Sequence, residues 1–332
     1  AIRYASLSIH IVYLLYQNIK WKVIHLRLLK LFISSIGILF SAFVSVGYLL
    51  TNRMMFIKKK DPSTIYEREI LLNEEQRNWY ERVPTKDIQI DSKHGYTIHA
   101  TVIQTINAPR YVVFSHGVTE TRLSSIQFAM LFEQFGYNAI IYDQRRHGNS
   151  GGKTTSFGYY EKVDLQAVVQ YVKHWKGPDV EIGVHGVSMG AATAILYGGT
   201  YEHHPLSFIV ADCPFSSFSK QITHIAQGDT SPYWTERAVQ LANLFIHWRD
   251  GYTLSEVSPI RVVDKVDVPI LFIHTLEDTF ILPEMSEDLY EAAKDPKQLV
   301  LLPKGKHALG YRKNREAYRN AIADFLQHVK KN

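Results

Sequence analysis

A single cysteine, Cys213, stands in a chain of 332 residues. It excludes an internal disulfide framework and any zinc site built on several cysteines. It leaves the compartment open, because a chain without disulfides can work on either side of a membrane. Acidic residues are missing altogether from the first 60 positions. Those positions carry nine basic side chains (Arg3, Lys20, Lys22, Arg27, Lys30, Arg53, Lys58, Lys59 and Lys60), which leaves 28 basic against 32 acidic in the rest. The net charge of +5 therefore belongs to the N-terminal segment, and the body is mildly acidic. A nucleic-acid partner is disfavoured, since binding phosphates needs a basic surface. The phosphate-cradling G-x-x-x-x-G-K-[ST] and the dinucleotide-binding G-x-G-x-x-G are absent too, as are internal repeats and low-complexity tracts. What is present is 46% apolar and 21% charged residues, enough for a sizeable core and too apolar for wholesale disorder. The length suits one large α/β domain with an appendage, or two modest domains.

Leu31 to Asn52 is a run of 22 residues without a charge. As a helix it would reach about 33 Å, against a hydrocarbon core of roughly 30 Å. Basic residues flank both ends, and no A-x-A cleavage site follows closely, so an uncleaved signal anchor is expected over 31–52. Residues 1–30 are read as a basic extension of uncertain character, with a second span over Tyr4 to Ile19 left open. The first Met is Met54, beyond the run, so Ala1 is not expected to be a natural initiator. Lys20, Lys22, Arg27 and Lys30 lie close before the run and Arg53, Lys58, Lys59 and Lys60 close after it, four against four, so the positive-inside rule does not choose an orientation. A lone signal anchor commonly leaves its short end in the cytoplasm, which puts the body outside.

From Asp61 the composition becomes that of a folded domain, expected over 61–332. Residues 61–85 read as a helical lead-in. Strands are expected at 87–91, 96–104, 111–115, 138–142, 180–185, 206–211, 269–274 and 298–302. Helices are expected at 123–135, 160–176, 188–200, 284–294 and 312–330. Continuous apolar runs mark strands buried on both faces, and their alternation with helices argues a mostly parallel sheet with right-handed crossovers. The first two strands, with no helix between them, predict an antiparallel hairpin. Residues 213–258 interrupt the alternation and are rich in aromatics, among them Phe215, Phe218, Tyr233, Trp234, Phe245, Trp248 and Tyr252. That length between core elements predicts an inserted helical cap.

Gly186-Val187-Ser188-Met189-Gly190 matches G-x-S-x-G between a strand run and a small-residue helix run. Such a strand–turn–helix puts a serine on a sharp elbow with its hydroxyl exposed. A serine needs a base and an orienting acid to act as a nucleophile. His307, just after the last strand run, has the right place for the base. The acid should follow the strand 269–274. Asp278 is preferred, because Asp278-Thr279-Phe280-Ile281 has D-x-x-[VI] spacing; Glu277 is a rival and Asp212 a lesser one. Acyl transfer also needs N–H donors aimed at the developing oxyanion. Met189 and Val118 are the candidates, with His116 supporting the second turn. Asp143, Arg145, Arg146 and His147 are read as bracing the loop beside the site. His203-His204 is read as a surface pair.

The oxyanion turn at His116-Gly117, the elbow Gly186–Gly190, Asp278, His307 and the stretch Tyr142 to Leu165 together resemble the α/β-hydrolase superfamily over about 87–330. Within it they are similar to bacterial membrane-anchored hydrolases of the serine-aminopeptidase-like and lysophospholipase-like branch. The resemblance implies a serine hydrolase with the triad Ser188, Asp278 and His307 and with no cofactor or metal. A small-molecule ester or lipid-derived substrate is expected, with Trp234 and Trp248 of the cap lining its apolar site. Peptidase or thioesterase chemistry, or a non-catalytic binding protein on the same fold, are the alternatives.

Overall fold

The computed structural model describes residues 2–227 and 231–330. Residues 228–230, within the stretch expected to form the cap, lie outside the described residues, as do Ala1 and the last two. The chain divides into two compact units, one up to Thr51 and one from Asn52 onward.

The first unit is helical. Helix α1, Ile2–Met55, runs unbroken through the basic stretch and the apolar run. The reason is local: no proline occurs before Pro62, so nothing removes a backbone donor along the way. Its apolar side chains, such as Phe32, Ile38 and Leu39, stand exposed. From Val12 to Met55 it is long and apolar enough to cross a membrane.

The second unit begins with α2, Pro62–Tyr66, a π-helical turn Glu67–Leu71, and α3, Glu74–Arg82. Asp61 caps α2 by accepting from the N–H of Ser63 at 2.8 Å, and Pro62 sits where its missing N–H costs nothing. Strands β1, Thr85–Asp91, and β2, Thr97–Ile103, form the antiparallel hairpin the sequence predicts. Then follow β3, Arg110–Ser115, α4, Ile126–Glu133, β4, Asn138–Tyr142, α5, Glu161–Lys176, β5, Glu181–Val187, and α6, Met189–Thr200. After β6, Phe208–Asp212, come α7, Phe218–Gln227, and α8, Pro232–Asp250. The chain ends with β7, Ile270–Thr275, α9, Glu284–Ala292, β8, Lys297–Leu302, α10, Gly310–Lys313, and α11, Arg315–Val329. The sequence predicts the last two as one helix. Asn314 leaves helical geometry and its side-chain amide donates to the carbonyls of Lys304 and Gly310, which breaks it.

The eight strands form one sheet in the order β1-β2-β4-β3-β5-β6-β7-β8. It is parallel from β3 to β8, while β2 runs antiparallel to both its neighbours. Strands β4, β6 and β7 are buried at every position, as continuous apolar runs require, whereas the edge strand β1 alternates. The chain leaves β3 toward β4 on one side and β5 sits on the other. That reversal opens a crevice at the carboxyl ends of the strands, where α/β sheets place their sites. Between β6 and β7, Phe215, Phe218, Phe245 and Tyr252 are buried; Phe218 stacks on Phe157 with ring centroids 3.9 Å apart.

Candidate active site

Ser188 sits between β5 and α6 with φ 56° and ψ −117°. A side chain rarely adopts such a backbone, so the turn is strained and held by its surroundings. Two glycines make it possible. A Cβ on Gly186 would strike the backbone of Gly190 and Ala191, and one on Gly190 would strike the carbonyl of Ser115. The N–H of Ser188 donates to the carbonyl of Asp212 at 2.8 Å, tying the elbow to the end of β6.

His307, in the loop after β8, places Nε2 2.8 Å from Ser188 Oγ. Its Nδ1 lies 2.6 Å from Asp278 Oδ2. A carboxylate can only accept, so the ring proton sits on Nδ1, and Nε2 is left free to accept from the serine hydroxyl. Asp278 is buried in the loop after β7, where its Oδ1 accepts the N–H groups of Phe280 at 2.9 Å and Ile281 at 3.0 Å. Burial pushes its carboxyl up, but hydrogen bonds with His274 and His307, the charge of His307 and the Ile281 N–H outweigh that and hold it below the usual range.

The rival acids point elsewhere. Glu277 is exposed and accepts the N–H of Gly305 at 2.7 Å. Asp212 is buried and accepts from the Tyr318 hydroxyl at 2.9 Å; burial pushes its carboxyl up to about 6. The structure therefore brings Ser188, His307 and Asp278 together.

Val118 and Met189 flank the serine. Met189 opens α6, where an N–H has no intrahelical acceptor. Gly117, before Val118, lies so near that a Cβ there would sit 3.6 Å from Ser188 Cβ. Among the described residues no acceptor is found for either N–H. His116 is buried and accepts the Gln144 N–H on Nε2 at 3.0 Å, with Nδ1 2.7 Å from the Gly117 carbonyl, so it braces this turn. The loop after β4 is braced by a pair between Asp143 and Arg122 at 2.5 Å, while Arg146 donates to the carbonyl of Ile57 at 3.0 Å.

A cavity of about 370 Å³ opens beside Ser188. Val118, Phe128, Phe280 and Leu309 form its apolar part. Its lining also holds a series of alternating charges: Lys60, Glu120, Arg68, Glu69 and Arg312. Arg68 lies 2.6 Å from both Glu120 and Glu69, and Arg312 reaches both oxygens of Glu69. Cys213, Asp278 and His307 also converge, with possible ligand atoms within 4.8 Å of one another. Burial and the nearby carboxylates of Asp212 and Asp278 push the Cys213 thiol well up, so it is no thiolate nucleophile.

A family model described as serine aminopeptidase, S33, matches residues 107–250. The chain is 38% identical to YqkD of Bacillus subtilis over 302 residues, covering 91% of this chain and 98% of that protein. The chain belongs to the α/β-hydrolase superfamily. This hydrolase is also similar to the lysophosphatidylserine lipase ABHD12 of Danio rerio, at 22% identity over 65% of this chain and 58% of the relative. Its fold is that of the Pyrococcus furiosus esterase Pf2001, with TM-score 0.59, 22% identity and coverage of 74% and 91%.

One expectation of the sequence fails in the hydrolase. Trp234 and Trp248 do not line the cavity; they are 66% and 72% exposed. Helix α8 packs through Thr235, Ala242, Phe245 and Ile246, and the two tryptophans stand on the other side. Two features were missed. His274 backs Asp278: its Nε2 faces the Ile281 carbonyl at 3.0 Å and Asp278 at 3.2 Å, and its Nδ1 lies 2.6 Å from the Ser286 hydroxyl. Its place at the end of β7, four residues before Asp278, was the available signal. The charged wall had no sequence signal, because its members are scattered from Lys60 to Arg312.

Proposed function

We propose that this hydrolase cleaves a carboxylic ester, of a small acyl or lipid-derived kind, through an acyl-enzyme on Ser188. The observation that carries the reading is the hydrogen-bonded series Ser188–His307–Asp278 on a strained elbow beside an open cavity. Ser188 Oγ attacks the ester carbonyl while His307 Nε2 takes its proton. Asp278 holds the imidazole in that tautomer and stabilises its charged form. The N–H groups of Met189 and Val118 receive the oxyanion. His307 then returns the proton to the departing alcohol, and water releases the acid by the reverse sequence.

Two observations support an ester over a peptide. The cavity beside the serine is lined in part by the apolar side chains of Val118, Phe128, Phe280 and Leu309. Its two carboxylates, Glu69 and Glu120, are each engaged by cations, leaving none disengaged to hold a substrate's ammonium group. The name of the zebrafish relative and the apolar helix α1 favour a lipid-derived ester. We read α1 as a membrane anchor with the body on the outer face of the cytoplasmic membrane.

The test is labelling of the full chain by a fluorophosphonate, with a screen of acyl ester, thioester and aminoacyl amide substrates. Labelled wild type, unlabelled Ser188→Ala and fastest turnover of acyl esters are expected. An unlabelled wild type, or faster cleavage of the amides, overturns the reading.

A further inference from the structure

The outward face of α8 has no partner among the described residues of the body, yet it is apolar. Tyr233, Trp234, Leu244 and Trp248 are 58%, 66%, 54% and 72% exposed. With Arg237, whose guanidinium lies over the Tyr233 ring at 5.3 Å, they fall within about 100° of one another around the helix axis. A helix facing water carries polar residues there. Tryptophan and tyrosine at both ends of an apolar stripe, with arginine beside them, are what the boundary between lipid headgroups and acyl chains selects.

The start of the body says which surface this is. Asn52, its first residue, ends the apolar run, and its Oδ1 accepts from Arg249 at the C-terminal end of α8 at 3.3 Å. Four residues on, the Phe56 ring lies 5.9 Å from the same guanidinium, and the Met55 carbonyl accepts the Thr155 N–H at 2.9 Å. The point where the chain would leave hydrocarbon is thus bonded to one end of α8. From there α8 extends about 28 Å. Arg53, Lys58 and Lys59 around that point are exposed, a positive rim suited to anionic headgroups.

We propose that α8 lies on the membrane to which α1 tethers the chain, with Tyr233, Trp234, Leu244 and Trp248 seated at the headgroup–acyl boundary. This rests on the reading of α1 as an anchor. It also gives the two tryptophans a role that their distance from the cavity denies them as acyl-pocket residues.

The experiment uses the full chain in vesicles of phosphatidylcholine and phosphatidylglycerol. Cys213 is buried, so an introduced cysteine is the reactive one. Trp234→Cys, Leu244→Cys and Trp248→Cys each receive an environment-sensitive fluorophore. Glu202→Cys, exposed beyond the end of α6 remote from the elbow, serves as reference. Spin-labelled lipid should quench the α8 labels several-fold more than the reference, and aqueous iodide should quench them less. Equal lipid quenching at all positions overturns the proposal. So does protection from iodide without lipid quenching, together with label-to-label cross-links, which would mean that a second copy covers the face. Extraction of the chain by alkaline carbonate would overturn the anchor reading and this proposal with it. A chain that resists extraction but shows unquenched labels overturns only the docking of α8.

Discussion

His307 Nδ1 lies 2.6 Å from Asp278 Oδ2, while the carboxylate of Glu277, one residue earlier, is turned to the N–H of Gly305. Adjacent carboxylates thus have separate tasks. Asp278→Asn should lower kcat on a p-nitrophenyl ester by about four orders of magnitude, because the imidazole then settles in the wrong tautomer. Glu277→Gln should lower it far less. Equal losses in the two variants would mean that Asp278 is not the orienting acid.

The positive φ of Ser188 predicts a stability effect separate from chemistry. Ser188→Ala and Ser188→Gly should both lose phosphonate labelling. The glycine variant should be the more stable of the two by about 1 kcal/mol, since glycine relieves strain that alanine retains. Thermal unfolding of the two variants side by side decides it; an alanine variant at least as stable as the glycine one would remove the strain argument.

Residues before Asp61 belong to the folded body. Met55 is buried, Arg146 holds the Ile57 carbonyl, and the Lys60 N–H donates to Thr119 at 3.2 Å, next to Val118. A soluble form starting at Asn52 should therefore melt higher and have higher kcat/KM than one starting at Asp61. Indistinguishable melting and turnover would show that this segment contributes nothing to the site.

His185 is buried with its Nε2 2.8 Å from the Tyr318 hydroxyl, and burial pushes its pKa down to about 3. The unfolded chain would take up a proton near pH 6.5 that the folded chain refuses. Its share of stability is therefore complete above about pH 6.5 and declines as pH falls toward about 3. In denaturant unfolding at a series of pH values, His185→Gln should lose that part of the slope. Parallel curves for wild type and variant would contradict a neutral buried imidazole.

Orientation is tested on wall-stripped cells. Added protease should digest the body while the membrane is intact. Protection until lysis would place the body inside, and cytoplasmic esters would become the substrates to try.

Much of the fold was legible in the chain because it is encoded locally. Strands β4, β6 and β7 are buried on both faces, so each is an unbroken apolar run that names itself. The elbow is local too: Gly186 and Gly190 are required by backbone approaches within a few residues of Ser188 or just across to β3. The apolar length of α1 is likewise a property of the sequence alone.

Direction and distance are not local, and there the tertiary structure decided. Periodicity puts Trp234 and Trp248 on one side of α8, but which side meets the core depends on what Phe245 and Ile246 pack against. Spacing favours Asp278 and leaves Glu277 and Asp212 as rivals. The choice needs the turn that aims Asp278 at His307 and backs it with His274, which brings three side chains from two loops and a strand end to one point. The charged wall of the cavity joins Lys60, Arg68 and Glu69 to Glu120 and Arg312, partners up to 243 residues apart. Their attraction operates through a few ångströms of space, and only the folded sheet sets those separations.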